Sequence, residues 1–205
     1  MSKVVLSSFL AVFALTFHAA MAKEKKPIAT HAEIVALLQG RYDNLAQVEK
    51  AQATATPDNP APPHLSVVIE PTRSPDYQLW RMHLEAGGDE SPREAVWAMQ
   101  ISRELDGSTA LVPYNLRSSA PADATTPAAF DVGHWFSLEA CALRGEFTQT
   151  RIDASADGMP CVVVATGIGQ RRTLLPVAIV RSGSSLQVHL IYQGTDVLFD
   201  ARHVP

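Results

Sequence analysis

The chain has 205 residues, of which 46% are hydrophobic and 19% charged, with a formal net charge of −4 at neutral pH. That length supports one ordinary domain with a real core. Acidic and basic residues are interspersed, which excludes the basic stripe or patch of a nucleic-acid-binding surface.

The chain opens on Met1-Ser2-Lys3, followed by an uncharged apolar run from Val4 to Phe17 and the small-x-small sequence Ala20-Met21-Ala22. These are the parts of a secretory leader, so residues 1–22 read as a cleaved signal and 23–205 as one mature domain. The apolar run is about 14 residues, short of the ~20 that span a bilayer as a helix. No cysteine sits at the cut site and no second long apolar run follows, so no membrane span is expected after cleavage. The expected location is outside the cytoplasm, in a bacterial periplasm. There the two cysteines, Cys141 and Cys161, read as one disulfide, with a reactive thiol or a metal site as the alternative.

Thr30-His31-Ala32-Glu33 has capping-box spacing, Ile34, Leu37 and Leu38 recur at helical spacing, and Gly40 stops the run. One short helix is predicted from His31 to Gln39. Residues 51–63 are rich in Ala, Thr and Pro and read as a loop. The pattern then changes to period two. Strands are predicted at 65–70, 79–85, 94–103 and 109–116, with Trp80, Met82 and Leu84 opposed to Arg81, His83 and Glu85. Residues 121–129 read as a loop leading into a helical turn near 128–132. Further strands are expected at 142–152, 161–165, 172–181, 186–192 and 197–201, with Ser182 to Ser185 as a hairpin connection. Many short strands behind one helix indicate a mainly β, antiparallel sandwich or barrel.

Hydrolase, nucleotide and zinc-protease motifs are absent. Gly167 and Gly169 read as a bulge or turn, and the mature histidines are scattered without metal-ligand spacing, so no metal is expected. Two polar stretches stand out. Arg81, His83 and Glu85 share one face of a strand, either solvated or turned into a barrel, where a buried Arg81 needs an anionic partner. Gln149 and Arg151 raise the same question. The other stretch is Gly40-Arg41-Tyr42-Asp43-Asn44-Leu45-Ala46-Gln47, in which Asp43 and Asn44 suit a turn and Tyr42 pairs a large body with a polar tip.

That second stretch, directly after a short helix, resembles the G-x-Y-x-N-x-x-Q signature of the CpcT/CpeT family of phycobiliprotein chromophore lyases. Pro63-His64, the arginine-bearing strand Leu79 to Leu84, and Cys141 followed by Gly145-Glu146-Phe147 and Cys161 agree in order and spacing. The resemblance implies a calycin-like antiparallel β-barrel, often homodimeric, that holds a bilin-type tetrapyrrole and assists its attachment to a protein cysteine. It implies Tyr42, Asn44, Arg81 and His83 as ligand-binding residues, with Arg81 meeting a propionate. Asp43 and Glu85 are the candidates for acid assistance at the pyrrole nitrogens. Two other readings stay open: a non-catalytic periplasmic binding protein for an extended apolar ligand, and a structural or partner-binding envelope protein.

Overall fold

In the computed structural model the described residues are 28–56, 61–85, 93–157, 161, 174–192 and 195–205. The leader, Gly167, Gly169 and the expected strand positions 162–165 and 172–173 lie outside them. Helix α1 (His31–Leu38) is followed by strand β1 (Gly40–Asp43) and helix α2 (Leu45–Gln52). Then come β2 (His64–Pro71), β3 (Tyr77–Glu85), β4 (Arg93–Arg103) and β5 (Thr109–Leu116). Short 3-10 turns connect to β6 (Trp135–Ser137), β7 (Leu143–Phe147) and β8 (Arg151–Ser155). The chain ends in β9 (Leu175–Ser182), β10 (Ser185–Tyr192) and β11 (Thr195–Val204).

The strands pair in the order β4-β3-β2-β1-β11-β10-β9-β8-β7-β5, and β5 returns to β4. Ten antiparallel strands therefore close a calycin-like barrel, with β6 paired to β5 outside the ring. Closure leaves no long unpaired strand edge among the described residues. The period-two pattern aims one side of every strand inward. Leu65, Val67 and Ile69 of β2, Trp80, Met82 and Leu84 of β3, and Trp97, Met99 and Ile101 of β4 join the interior cluster. No helix among the described residues is long and apolar enough to cross a membrane.

α1 packs across one end of the barrel. Its capping box is formed, with Thr30 N–H donating to Glu33 Oε2 at 2.7 Å and Glu33 N–H to Thr30 Oγ1 at 3.4 Å. Ile34 and Leu38, four residues apart on one face, enter the interior cluster. Gln78 Nε2 donates to Val35 O at 3.1 Å and holds the helix to β3. The buried Cys141 and Cys161 are joined by a disulfide within the same apolar cluster. By loop-closure entropy a bridge of this span stabilises by about 3 kcal/mol.

β6 was not expected, Cys161 is helical where a strand was expected to begin, and three further departures bear on the barrel. β1 is a four-residue strand, too short to show a period, and it was expected only as a turn. α2 makes a second helix where one was expected; it buries only Val48, so its apolar stripe is almost invisible in sequence. The single strand expected over 142–152 is a hairpin. Thr148 reverses the chain by exchanging hydrogen bonds with Arg151, and Gly145 lets β7 and β8 approach. At Gly145 (φ +156°) a Cβ would lie 2.1 Å from Asp153 O.

Outside the barrel, the segment between β5 and β6 folds back over the wall. Phe130 and Trp135 cover Leu79 and Ala98 in a second apolar cluster. Leu79 thus shares the outward face with Arg81 and His83 and is nevertheless fully buried.

Candidate functional site on the outer face of the barrel

The residues singled out by sequence fall into two groups that do not meet. Tyr42 and Asn44 are buried, at 1% and 0% exposure, and all their polar atoms are engaged. Tyr42 Oη donates to Leu38 O at 2.9 Å and receives Arg181 Nε at 3.1 Å. Burial pushes its phenol above the ordinary tyrosine range, with the Arg181 charge pulling the other way. Asn44 Oδ1 accepts from Leu65 N–H at 2.7 Å, and its Nδ2 donates to Pro63 O at 3.0 Å and Gln47 Oε1 at 3.2 Å. Gln47 Oε1 also accepts from Asp200 N–H at 3.1 Å, which ties α2 to β11. Gly40 is required because a Cβ there (φ +147°) would sit 2.8 Å from the His203 ring. The whole G-x-Y-x-N-x-x-Q stretch therefore works as a clasp joining both helices to β1, β2 and β11.

Arg181 is the residue that sequence reasoning missed. It is 7% exposed, and its guanidinium donates to Leu37 O, Ser185 O and Gly183 O as well as to Tyr42. It lies 5.4 Å from the centroid of the Tyr42 ring. The carbonyls of Leu37 and Leu38 belong to the last turn of α1, the negative end of the helix. A buried cation is thus satisfied by oxygen dipoles and an aromatic face. The signal was an arginine at an inward position of an apolar strand, which alternation alone identifies as unusual.

Arg81, His83 and Glu85 take the solvated alternative: they face outward from β3 and do not line the interior. With His64, Ser66, Val68 and Glu70 of β2 and Glu94 and Val96 of β4 they form rows set by antiparallel register. His64 Nδ1 lies 3.2 Å from Glu85 Oε2, and His83 Nδ1 lies 3.3 Å from Glu94 Oε1. Arg81 Nε lies 3.5 Å from Glu70 Oε2, and its guanidinium also donates to Thr125 O. Between these pairs is a cleft of about 300 Å³, lined by Ser66, Val68, Arg81, His83, Glu94 and Val96, among others. Valines form its apolar floor. One carboxylate (Glu94), one guanidinium (Arg81), one imidazole (His83) and the Ser66 hydroxyl are its polar lining.

The remaining candidates are placed as follows. Asp43 Oδ1 accepts from Leu45 N–H at 3.1 Å, the role of an N-terminal helix residue, and Glu85 is held by His64. Neither faces the barrel interior. Gln149 donates to Glu33 Oε1 at 2.8 Å and Arg151 pairs with Asp153 at 2.6 Å, both on the surface. Among the described residues no three His, Cys, Asp or Glu side chains are placed to hold a metal ion.

Several described interior positions are packed without accessible space. Trp80, Met99, Leu111, Ile152, Val188 and Phe199 have no accessible surface. A void of even water size beside any of them would leave it some exposure. The arrangement supports recognition from the outside of the wall. Comparison with protein-family models, with curated proteins and with solved structures finds no match to this chain.

Proposed function

We propose that the chain is an exported barrel that binds a partner on its outer face, in the envelope space to which its leader directs it. The cleft over β2 to β4 carries this reading, and the complete burial of described interior side chains such as Trp80 and Phe199 supports it. The cleft over β2 to β4 is the binding surface. Its valine floor and its mixed lining of Arg81, His83, Glu94 and Ser66 suit a partner segment with an apolar side chain flanked by polar ones. The disulfide supports the address, since such bridges persist in oxidising compartments.

The second reading is the one the sequence resemblance implies, a bilin-binding barrel that assists attachment of the chromophore to a cysteine. The calycin-like barrel favours it, while Arg81, its expected propionate partner, faces outward from β3.

One titration separates the two. Two of the three tryptophans, Trp80 and Trp97, belong to the interior cluster. Adding biliverdin or phycocyanobilin to the oxidised protein should leave tryptophan emission and the bilin absorption band unchanged apart from inner-filter loss. Saturable quenching with a shifted band overturns the outer-face reading and restores the bilin one. Transfer to an acceptor thiol then tells lyase from carrier. Sedimentation at rising concentration shows whether the occupant of the cleft is a second copy. Sequencing the N-terminus of the periplasmic fraction tests export, with Lys23 expected first.

A further inference from the structure

Three polar residues of the outer cleft form a row that partner binding by itself leaves unused. Antiparallel register sets Ser66 of β2 directly opposite His83 of β3, and His83 directly opposite Glu94 of β4. All three side chains line the same cleft of about 300 Å³. Opposed residues on one face of a sheet hold their Cβ atoms roughly 4.5–5.5 Å apart, a gap that a serine hydroxyl and an imidazole span. His83 Nδ1 lies 3.3 Å from Glu94 Oε1, so the carboxylate engages one ring nitrogen and leaves Nε2 for another partner. Hydroxyl, imidazole and carboxylate thus stand in the order that activates a serine.

From this row we infer that the cleft hydrolyses small esters with a short aliphatic acyl chain. The inference rests on the cleft being the binding surface and adds a reaction to it. Ser66 Oγ is the nucleophile, His83 the general base and Glu94 the positioning residue. Ser66 Oγ adds to the ester carbonyl carbon as its proton passes to His83 Nε2. The tetrahedral intermediate collapses, the bond to the alcohol oxygen breaks, and that oxygen takes the proton from His83. Water, deprotonated by the same nitrogen, then cleaves the acyl-serine, so ester and water give acid and alcohol with no other reagent. In the free protein Ser66 and His83 are not yet bonded to each other, and catalytic hydrogen bonds often tighten only when substrate binds. The backbone N–H groups under the cleft are engaged in the strand ladders, so the oxyanion needs a side-chain donor. Arg81 lines the cleft two residues from His83 on the same face. Its guanidinium donates to Thr125 O and meets Glu70 Oε2 at 3.5 Å, and the fork carries further N–H groups for the oxyanion. Val68 and Val96 stand on either side of Arg81 in register and make the acyl subsite apolar. The volume lies at the small end of ligand sites, which keeps the acyl chain short.

The probe is p-nitrophenyl butyrate, added to the full oxidised protein. Release of p-nitrophenol should saturate with ester, and Ser66→Ala and His83→Gln should each lower kcat about a hundredfold, the low end of general-base assistance. The Glu94 side chain is 79% exposed, so Glu94→Gln should cost only about tenfold in kcat, far less than a buried triad carboxylate, with KM unchanged. Glu94→Asp should restore part of that loss, which a merely structural role would not do. An unchanged Tm shows that each variant is folded. A fluorophosphonate should add one label to the native chain, at Ser66, and His83→Gln should abolish it. Turnover undiminished in Ser66→Ala overturns the inference, since an imidazole alone cleaves activated esters. So does labelling at any other residue, or a native rate no higher than that of His83→Gln. Absence of turnover overturns the reaction alone, whereas the outer-face reading fails separately, by saturable bilin quenching.

Discussion

The stretch from Gly40 to Gln47 and the strand from Leu79 to Glu85 are both rows of polar side chains in an otherwise apolar chain, and the fold treats them oppositely. In the first, Tyr42 and Asn44 are buried and every polar atom is spent on backbone, on Arg181 or on Gln47. In the second, Arg81 and His83 keep over a third of their side-chain surface, and each lies beside one carboxylate on a neighbouring strand. Polarity in a sequence thus has two meanings. A polar group inside has to be satisfied completely, so it fixes geometry. One outside is already satisfied by water and remains available to a partner.

The largest expected effect comes from breaking the clasp at its most committed atom. Asn44→Ala leaves the buried Leu65 N–H without its partner, at about 1–3 kcal/mol, and removes the part-buried bond to Pro63 O as well. A loss of roughly 3 kcal/mol is expected in a urea melt, and a loss below about 0.5 kcal/mol would move Asn44 to the class of Arg81. Tyr42→Phe keeps the ring under Arg181 and removes only the hydroxyl, so about 1–2 kcal/mol is expected, read the same way.

The capping box offers a smaller effect with a pH signature. Glu33 is held below the ordinary glutamate range, first by the Thr30 backbone N–H, then by the Thr30 hydroxyl, with Gln149 adding to them. A depressed folded value means that its contribution is complete above the unfolded value, near 4.3, and is lost as pH falls through the folded value. The Tm difference between the native chain and Glu33→Gln should therefore be constant from neutral pH to about 5 and shrink below it. A difference that grows on acidification would show that the carboxylate does not anchor α1.

The smallest effect sharpens the contrast from the other side. Arg81→Ala and His83→Ala should each change stability by less than about 0.5 kcal/mol, because exposed ion pairs contribute little. A cost above about 2 kcal/mol for Arg81→Ala would show that its bond to Thr125 O braces the wall.

Much of the wall was legible. Alternation in Leu79 to Glu85 and Glu94 to Arg103 separated the two faces of each strand, because a strand with one buried side must repeat every two residues. The α1 capping box was readable because its hydrogen bonds are three residues apart. β1 and α2 were not readable, since each owes its place to contacts distant in sequence, such as Tyr42 with Arg181 and Gln47 with Asp200. The candidate site was half legible: the polar face of β3 was found, but its orientation was not. The row of Ser66, His83 and Glu94 gave no signal, because its members meet only once β2, β3 and β4 pair.

By itself, then, the sequence determined the β character of the domain, the helix that opens it and the cysteine pair, all of which rest on periodicity, local capping or simple counting. Only the tertiary structure decided that the strands close into a ring, which side of the ring Arg81 and His83 occupy, and that the 40–47 signature is consumed in holding it shut. Those outcomes depend on closure, and closure is a property of pairings between residues up to about 160 apart in the chain, such as Arg41 with Val204.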